Sequence, residues 1–202
     1  VEFIIYNLNN LKMLPASQLK FIENGSNPRK INRIEKELKN IKLNNQSYFV
    51  DFQEINTNVW IVGMTVPENH NLHKLLSLYS HKFNVKPYIQ FEITFPGSYP
   101  FEPPFIRIIL PRFIDLKTFV TKEGSICMEN ITNSQTESGY NPTMSIENLL
   151  IAIHSLILSK DDLSIDLENG TPATWDQAVS RFINTSNIHK WDTHKNLKQI
   201  NV

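Results

Sequence analysis

Cysteine is almost missing from this chain of 202 residues: there is one, Cys127. A single thiol excludes an internal disulfide and cannot by itself build a zinc site. It also argues for a reducing compartment, cytosolic or nuclear. Net charge is missing too. Lys plus Arg equals Asp plus Glu at 20 each, so no global field draws the chain to nucleic acid or a membrane surface. No apolar run approaches the ~18 residues that read as a membrane span, and no internal repeat or low-complexity linker interrupts the chain. What is present is globular composition, 41% hydrophobic and 20% charged, enough for one domain with a real core plus some extension. The first residue is Val1 rather than Met, as in a piece of a longer protein.

Residues 1–27 hold no sustained period and close on Asn24-Gly25-Ser26-Asn27, a break. They are expected to form an N-terminal extension, either packed on the domain or an arm of a larger region. The core domain is expected over 28–202. Pro28 suits the first turn of a helix capped by Ser26 or Asn27, and Ile31, Ile34, Leu38 and Ile41 follow as an apolar stripe. On the other faces Arg29, Lys30, Arg33, Lys36, Lys39 and Lys42 outnumber Glu35 and Glu37. That surface is either plainly solvated or an electropositive docking face.

Strands are expected over 48–52 and 59–66, joined by a turn at Asn56-Thr57-Asn58. A third strand alternates Ile89, Phe91, Ile93 and Phe95 with Gln90, Glu92 and Thr94, which predicts one buried and one wet face. The fourth, 105–110, is apolar apart from Arg107. Short links imply antiparallel pairing. The longer link before the third strand carries Leu72, Leu75, Leu76, Tyr79 and Phe83 at helical spacing, predicting an inserted helix over 71–84. Later, Ser145 is the expected N-cap of a helix with a broad stripe from Ile146 to Ile157 and Glu147 in its first turn. A last helix is expected over 172–184, followed by a tail with Ile188, His189, Lys190 and Trp191. The fold class is therefore α+β: a four-stranded antiparallel meander packed against an N-terminal helix and C-terminal helices.

Cys127 lies in the loop Glu123-Gly124-Ser125-Ile126-Cys127-Met128-Glu129, some two dozen residues after the proline-rich run Tyr99-Pro100-Phe101-Glu102-Pro103-Pro104. Taken alone, a lone cysteine is usually a small buried hydrophobe. The order of elements around it changes that reading. Helix, meander, proline-rich turn, cysteine loop and two helices, with Asn141-Pro142-Thr143-Met144-Ser145-Ile146 before the first of them, resemble a ubiquitin-conjugating enzyme over residues 28–191. The runs Pro100-Phe101-Glu102-Pro103-Pro104-Phe105-Ile106-Arg107, Cys127-Met128-Glu129 and Ser145-Ile146-Glu147 resemble its divergent Q-type subfamily, as do the helical insertion and the late His189 and Trp191.

The resemblance implies that Cys127 accepts ubiquitin, or a ubiquitin-like modifier, as a thioester and transfers it to a protein acceptor. A thiolate is a soft, strong nucleophile suited to such exchange. The implied partners are the modifier, the activating enzyme of an ATP-dependent cascade, a ubiquitin ligase and a protein substrate. Neither metal nor organic cofactor is implied, nor any nucleic acid or membrane. By the same resemblance Phe101 and Pro142 match ligase contacts, and Arg29, Lys30 and Arg33 match the region that meets the activating enzyme. Phe101 reads equally as a rigid apolar knob or as a cap on the core beneath its turn. The chain departs from the wider family in one place. Residues 111–125 hold neither His nor Asn, where most members carry His-Pro-Asn, a triplet that the Q-type also lacks. That leaves backbone N–H groups of the loop, Asn130 or Asn133 as candidate oxyanion donors, and a weakly catalytic or inactive binding module of the same fold as the alternative. Q-type likeness makes His189 a candidate base and Trp191 its support. Phe119 stands where that subfamily tends to have Tyr, Lys122 is the only cation evident near the thiol, and His154 reads as structural.

Overall fold

Asn27 decides where the first helix starts. In the computed structural model of this chain, its side-chain oxygen accepts the Arg29 N–H at 3.0 Å, and Pro28 opens helix α1 (Pro28–Asn44). The structure describes residues 27–44, 49–56, 58–114, 119–160, 163–193 and Leu197. The expected extension up to residue 26, the alternative cap Ser26, the strand start at Tyr48 and the turn residue Thr57 lie outside the described residues.

The inward face of α1 differs from the expected stripe. Ile34 and Ile41 are buried as predicted, but Ile31 is 37% exposed. Lys30 and Glu37 complete the buried row instead, at 4% and 2% exposure, since 30, 34, 37 and 41 share one helical face. Lys30 Nζ donates to the Phe95 carbonyl at 3.3 Å, and burial lowers its pKa to about 8. Arg33 is half-buried. Its Nε donates to Glu37 Oε1 at 2.6 Å, and its two terminal nitrogens donate to the Pro142 and Met144 carbonyls at 2.9 and 2.7 Å. The expectation of Arg29, Lys30 and Arg33 as one exposed docking face is thereby corrected. Only Arg29 of the three stands open to solvent. The long stems and charged heads of the other two serve internal carbonyls that a purely apolar row would leave unpaired.

Strands β1 (Phe49–Asn56), β2 (Val59–Met64), β3 (Ile89–Thr94) and β4 (Phe105–Leu110) form one sheet in the order β1-β2-β3-β4, each pair antiparallel. This is the expected meander of an α+β fold. Helix α2 (Asn71–Phe83) fills the β2–β3 link as predicted and buries Leu72, Leu76 and Tyr79. His70 caps it by accepting the Leu72 N–H on Nδ1, so its Nε2 carries the proton and donates to the Leu158 carbonyl at 3.0 Å. Helix α3 (Ile146–Leu158) is capped by Ser145, and its Ile146, Leu149, Leu150, Ile153 and Ile157 join one core cluster with Phe91, Ile93, Ile106 and Ile108. His154 is structural, its Nε2 lying 2.7 Å from the Thr65 carbonyl.

The opposite face of β3 is dry where alternation predicts water. Glu92 is 4% and Thr94 0% exposed, because helix α4 (Trp175–His189) covers them. Phe105 meets Trp175 and Phe182 edge-on, with ring centroids 4.8 and 5.5 Å apart. Beneath them Arg107 donates to both Glu92 oxygens, at 2.9 and 3.1 Å, and to the Ala173 carbonyl at 2.9 Å. Alternation along one strand cannot register a helix that arrives 80 residues later. Helix α4 also runs five residues past its predicted end. A capping box of Thr174 and Gln177 starts it, and Lys190, with φ +60°, ends it.

The burial of α1 separates two neighbouring basic residues. Lys30→Glu should destabilise the domain by about 3 kcal/mol, by placing a carboxylate against the Phe95 carbonyl. Arg29→Glu should change stability by less than about 0.5 kcal/mol. Urea denaturation of the two variants measures both, and equal midpoints would contradict the buried placement of Lys30.

Candidate active site

The cysteine loop is pinned from two sides before it reaches the sulfur. A tight turn closes it: Gly124 N–H donates to the Thr121 carbonyl at 2.8 Å and Thr121 N–H to the Ser125 carbonyl at 2.9 Å. Gly124 has φ +82°, which favours glycine, and a Cβ there would lie 2.0 Å from the Ile108 carbonyl oxygen. Its own carbonyl accepts the Ile108 N–H at 2.8 Å, so the turn is an extra, partial rung on the outer edge of β4. On the other side Ser125 Oγ donates to the Ala178 carbonyl of α4. The same helix therefore holds the loop and, at its far end, carries His189.

Cys127 is half-buried, and its N–H donates to the Phe119 carbonyl at 2.6 Å. Its Sγ lies 3.4 Å from His189 Nε2. The S–H donates to the neutral ring, or the ring N–H donates to the thiolate, according to where the proton sits. Trp191 stacks on His189 with ring centroids 4.4 Å apart and planes 18° from parallel. The left-handed Lys190 turns the chain back, and Trp191 N–H donates to the Ser186 carbonyl at 2.8 Å. One residue on, the Asp192 carbonyl accepts the Asn133 N–H at 2.9 Å, tying the tail to the segment behind the cysteine. His189 thus belongs to the last turn of α4 rather than to a free tail. The 62-residue separation from Cys127 is closed by that helix.

The other candidates make contacts of their own. The N–H groups of Cys127, Gly124 and Ser125 are already engaged, the last by Thr121 Oγ1 at 3.2 Å, so none of these three is a spare oxyanion donor. Asn133 spends its N–H on Asp192, while Asn130 buries its side-chain oxygen without a hydrogen bond. Phe101 is 59% exposed, a knob rather than a core cap; fully buried Tyr99 does the capping. Pro142 is half-buried in the loop that Arg33 grips. Burial pushes the Cys127 thiol up from its ordinary value, against a smaller downward pull from the Arg181 guanidinium. Exposed Lys122 is not among the influences on that thiol. Arg181 escaped sequence reasoning because it is 54 residues from the cysteine, on another element.

A half-buried thiol on a loop beside a meander, with an imidazole in contact, can exchange acyl groups at a surface open to large partners. The sequence model of the family described as Ubiquitin-conjugating enzyme matches residues 33–186, and the chain belongs to that family. Within it the chain is similar to Q-type members. It is 26% identical to ubiquitin-conjugating enzyme E2 Q1 of Homo sapiens and of Mus musculus over 160 residues, 75% of this chain and 36% of theirs. It is 40% identical over 53 residues to ubiquitin-conjugating enzyme E2Q-like protein 1 of Homo sapiens, 26% of this chain and 32% of that one. The chain spans about a third of the length of these curated relatives. Among solved structures, human ubiquitin-conjugating enzyme E2 G1 aligns with a TM-score of 0.50 at 19% identity, over 67% of this chain and 100% of that chain, a likeness of fold.

Gly124 gives the site a simple test of construction. Gly124→Ala should destabilise the domain by about 3 kcal/mol, because the new methyl group meets the Ile108 carbonyl in a backbone region that disfavours it. Thermal melting measures this, and an unshifted midpoint would mean that β4 does not hold the turn.

Proposed function

We propose that this chain carries ubiquitin, or a ubiquitin-like modifier, as a thioester on Cys127 and transfers it to a protein acceptor. The observation that carries the reading is the 3.4 Å contact between Cys127 Sγ and His189 Nε2, with Trp191 stacked behind the ring. In charging, the thiolate attacks the carbonyl of a modifier thioester on the activating enzyme. One C–S bond forms, the other breaks, and the activating enzyme's thiolate leaves. In discharge, an amine or hydroxyl of the acceptor attacks the new thioester. A C–N or C–O bond forms, the Cys127 thiolate leaves, and His189 takes the proton of the attacking group. Trp191 holds the ring by stacking, which keeps the imidazole aimed at the sulfur. No metal or organic cofactor enters these steps.

Exposed Phe101 and half-buried Pro142 serve as the ligase contact in this reading, and of Arg29, Lys30 and Arg33 only Arg29 is open to the activating enzyme. Lys30 and Arg33 support these surfaces from within. A reducing compartment, cytoplasmic or nuclear, suits a chemistry that needs a free thiol. Two observations favour the second reading, a binding module with little transfer activity: burial raises the thiol, and no His-Pro-Asn stands before it.

Two experiments separate them. With activating enzyme, ATP and ubiquitin, the wild type should form an adduct that reducing agent cleaves, Cys127→Ser a slower-forming adduct that resists it, and Cys127→Ala none. An adduct on Cys127→Ala would move the chemistry elsewhere, and none on the wild type would favour the binding module. His189→Ala should then slow discharge to free amine or hydroxyl acceptors by about 100-fold or more while charging changes far less. Equal effects on both steps would remove the base role from His189.

A further inference from the structure

We propose that His70 and His154 form an acid-sensitive latch: as neutral imidazoles they tie the entry of helix α2 to helix α3, and protonation loosens that entry. The link from β2 to α2, residues 65–70, is held at both ends. At its start His154 Nε2 lies 2.7 Å from the Thr65 carbonyl, which makes that nitrogen the donor. At its end His70 Nε2 donates to the Leu158 carbonyl at 3.0 Å. His154 and Leu158 stand four residues apart on α3, so both ties fall within about one turn of that helix. His70 has a second task. Its Nδ1 accepts the Leu72 N–H at 3.1 Å and caps α2, where most helices use the oxygen of Ser, Thr, Asp or Asn.

The chemistry of the ring makes this cap sensitive to acid. With the Nε2 hydrogen given to Leu158, the acceptor lone pair is on Nδ1, and a proton taken there ends the bond to Leu72. It also puts positive charge at a helix N-terminus whose first turn holds no acidic residue to offset it. His154 responds in the same direction. It is buried, and burial holds its imidazole below the ordinary histidine range, against the bond to Thr65 and with His70 as a further cause. A histidine buried neutral contributes stability that is present above that range and is lost as pH falls from the ordinary value toward the lowered one. Other ionisable groups about the latch, among the described residues, are Glu68, His73 and Lys74 at the entry and first turn of α2, and Glu147 at the start of α3. Lys160, just past Leu158, turns its Nζ to the Phe119 ring, 5.6 Å from the ring centre. Strand β2 carries none. On α1, Lys30, Arg33 and Glu37 are committed elsewhere, to Phe95, the Pro142 loop and Ile146. Neither latch histidine belongs to the Cys127–His189 pair, so the inference does not depend on the transfer reading.

Amide hydrogen exchange of the full chain, followed by NMR and expressed as protection factors, reads the latch at Leu72. Between pH 7.5 and 5.5 the Leu72 factor should fall about tenfold relative to that of Ile93 in β3, since an ordinary imidazole is about ten to one protonated at the lower pH. His70→Asn keeps an acceptor for the Leu72 N–H without a titrating ring, so the fall should vanish. His73→Gln, in the same turn, should leave the fall in place. His154→Gln keeps a donor for Thr65, and its urea midpoint should drop less than that of the wild type over the same pH range. A Leu72 factor that holds at pH 5.5, or one that falls as far in His70→Asn, would overturn the proposal. Equal midpoint drops for wild type and His154→Gln would overturn the two-point latch. If His70→Asn does not fold, the wild-type comparison of Leu72 with Ile93 decides alone.

Discussion

The hydrogen bond from Ser125 Oγ to the Ala178 carbonyl does more than fasten a loop. Cys127 and His189 lie on different elements, and their separation depends on how the cysteine turn and α4 are registered. The serine makes that registration from the α4 side. On the sheet side, the Gly124 carbonyl meets the Ile108 N–H of β4. Two residues further the chain emerges at the sulfur, with too little slack to wander. At the other end of α4, the Asp192 carbonyl engages Asn133 and closes the frame. The imidazole therefore approaches the sulfur because its helix is bound near both ends to the segment that carries the cysteine.

Charge inside this domain is spent on placement. The bidentate Arg107–Glu92 pair lies under α4, where Arg107 also reaches the Ala173 carbonyl just ahead of the helix cap. Arg33 and Glu37 do the same elsewhere: the guanidinium holds two carbonyls of the Pro142 loop, and Glu37 Oε2 accepts the Ile146 N–H at the start of α3. Buried ion pairs contribute little net stability once desolvation is counted, but removing one partner costs heavily. Such pairs suit loops whose geometry matters more than their stability. The Pro142 loop and the start of α4 are both of this kind.

The departure from the wider family also has a structural side. With no His-Pro-Asn, the segment before the cysteine is tied by main chain instead, through Cys127 N–H to the Phe119 carbonyl and a bridge between Val120 and Ile126. Phe119 brings no hydroxyl. The polar chemistry near the sulfur therefore comes from the C-terminal helix, which reaches the thiol with His189 and brings Arg181 to the turn ahead of it. A site built from that helix is as accurate as the helix is rigid, and Trp175, Ala178, Val179 and Phe182 bury its inner face against the sheet.

Much of the fold was legible in residue order. Period-two alternation in β3, the insert at 71–84, Ser145 as a cap and the apolar stripe of α3 all rest on contacts between near neighbours, which local sequence encodes. Resemblance singled out Cys127, His189 and Trp191, and α4 with the turn after it brings the three side chains together. The misreadings share one cause. Lys30 and Arg33 look like solvent-facing charges until Phe95, Pro142 and Met144 bring carbonyls to them from 65 to 111 residues away. Glu92 looks wet until α4 covers it, and Lys122 is the one cation in view near the cysteine turn until α4 brings Arg181 to Glu123. A hydrophobic period records which face is apolar. It does not record which distant polar group will need a charge, so sequence determined the elements and singled out Cys127, and tertiary structure decided what Lys30, Glu92 and Arg107 meet.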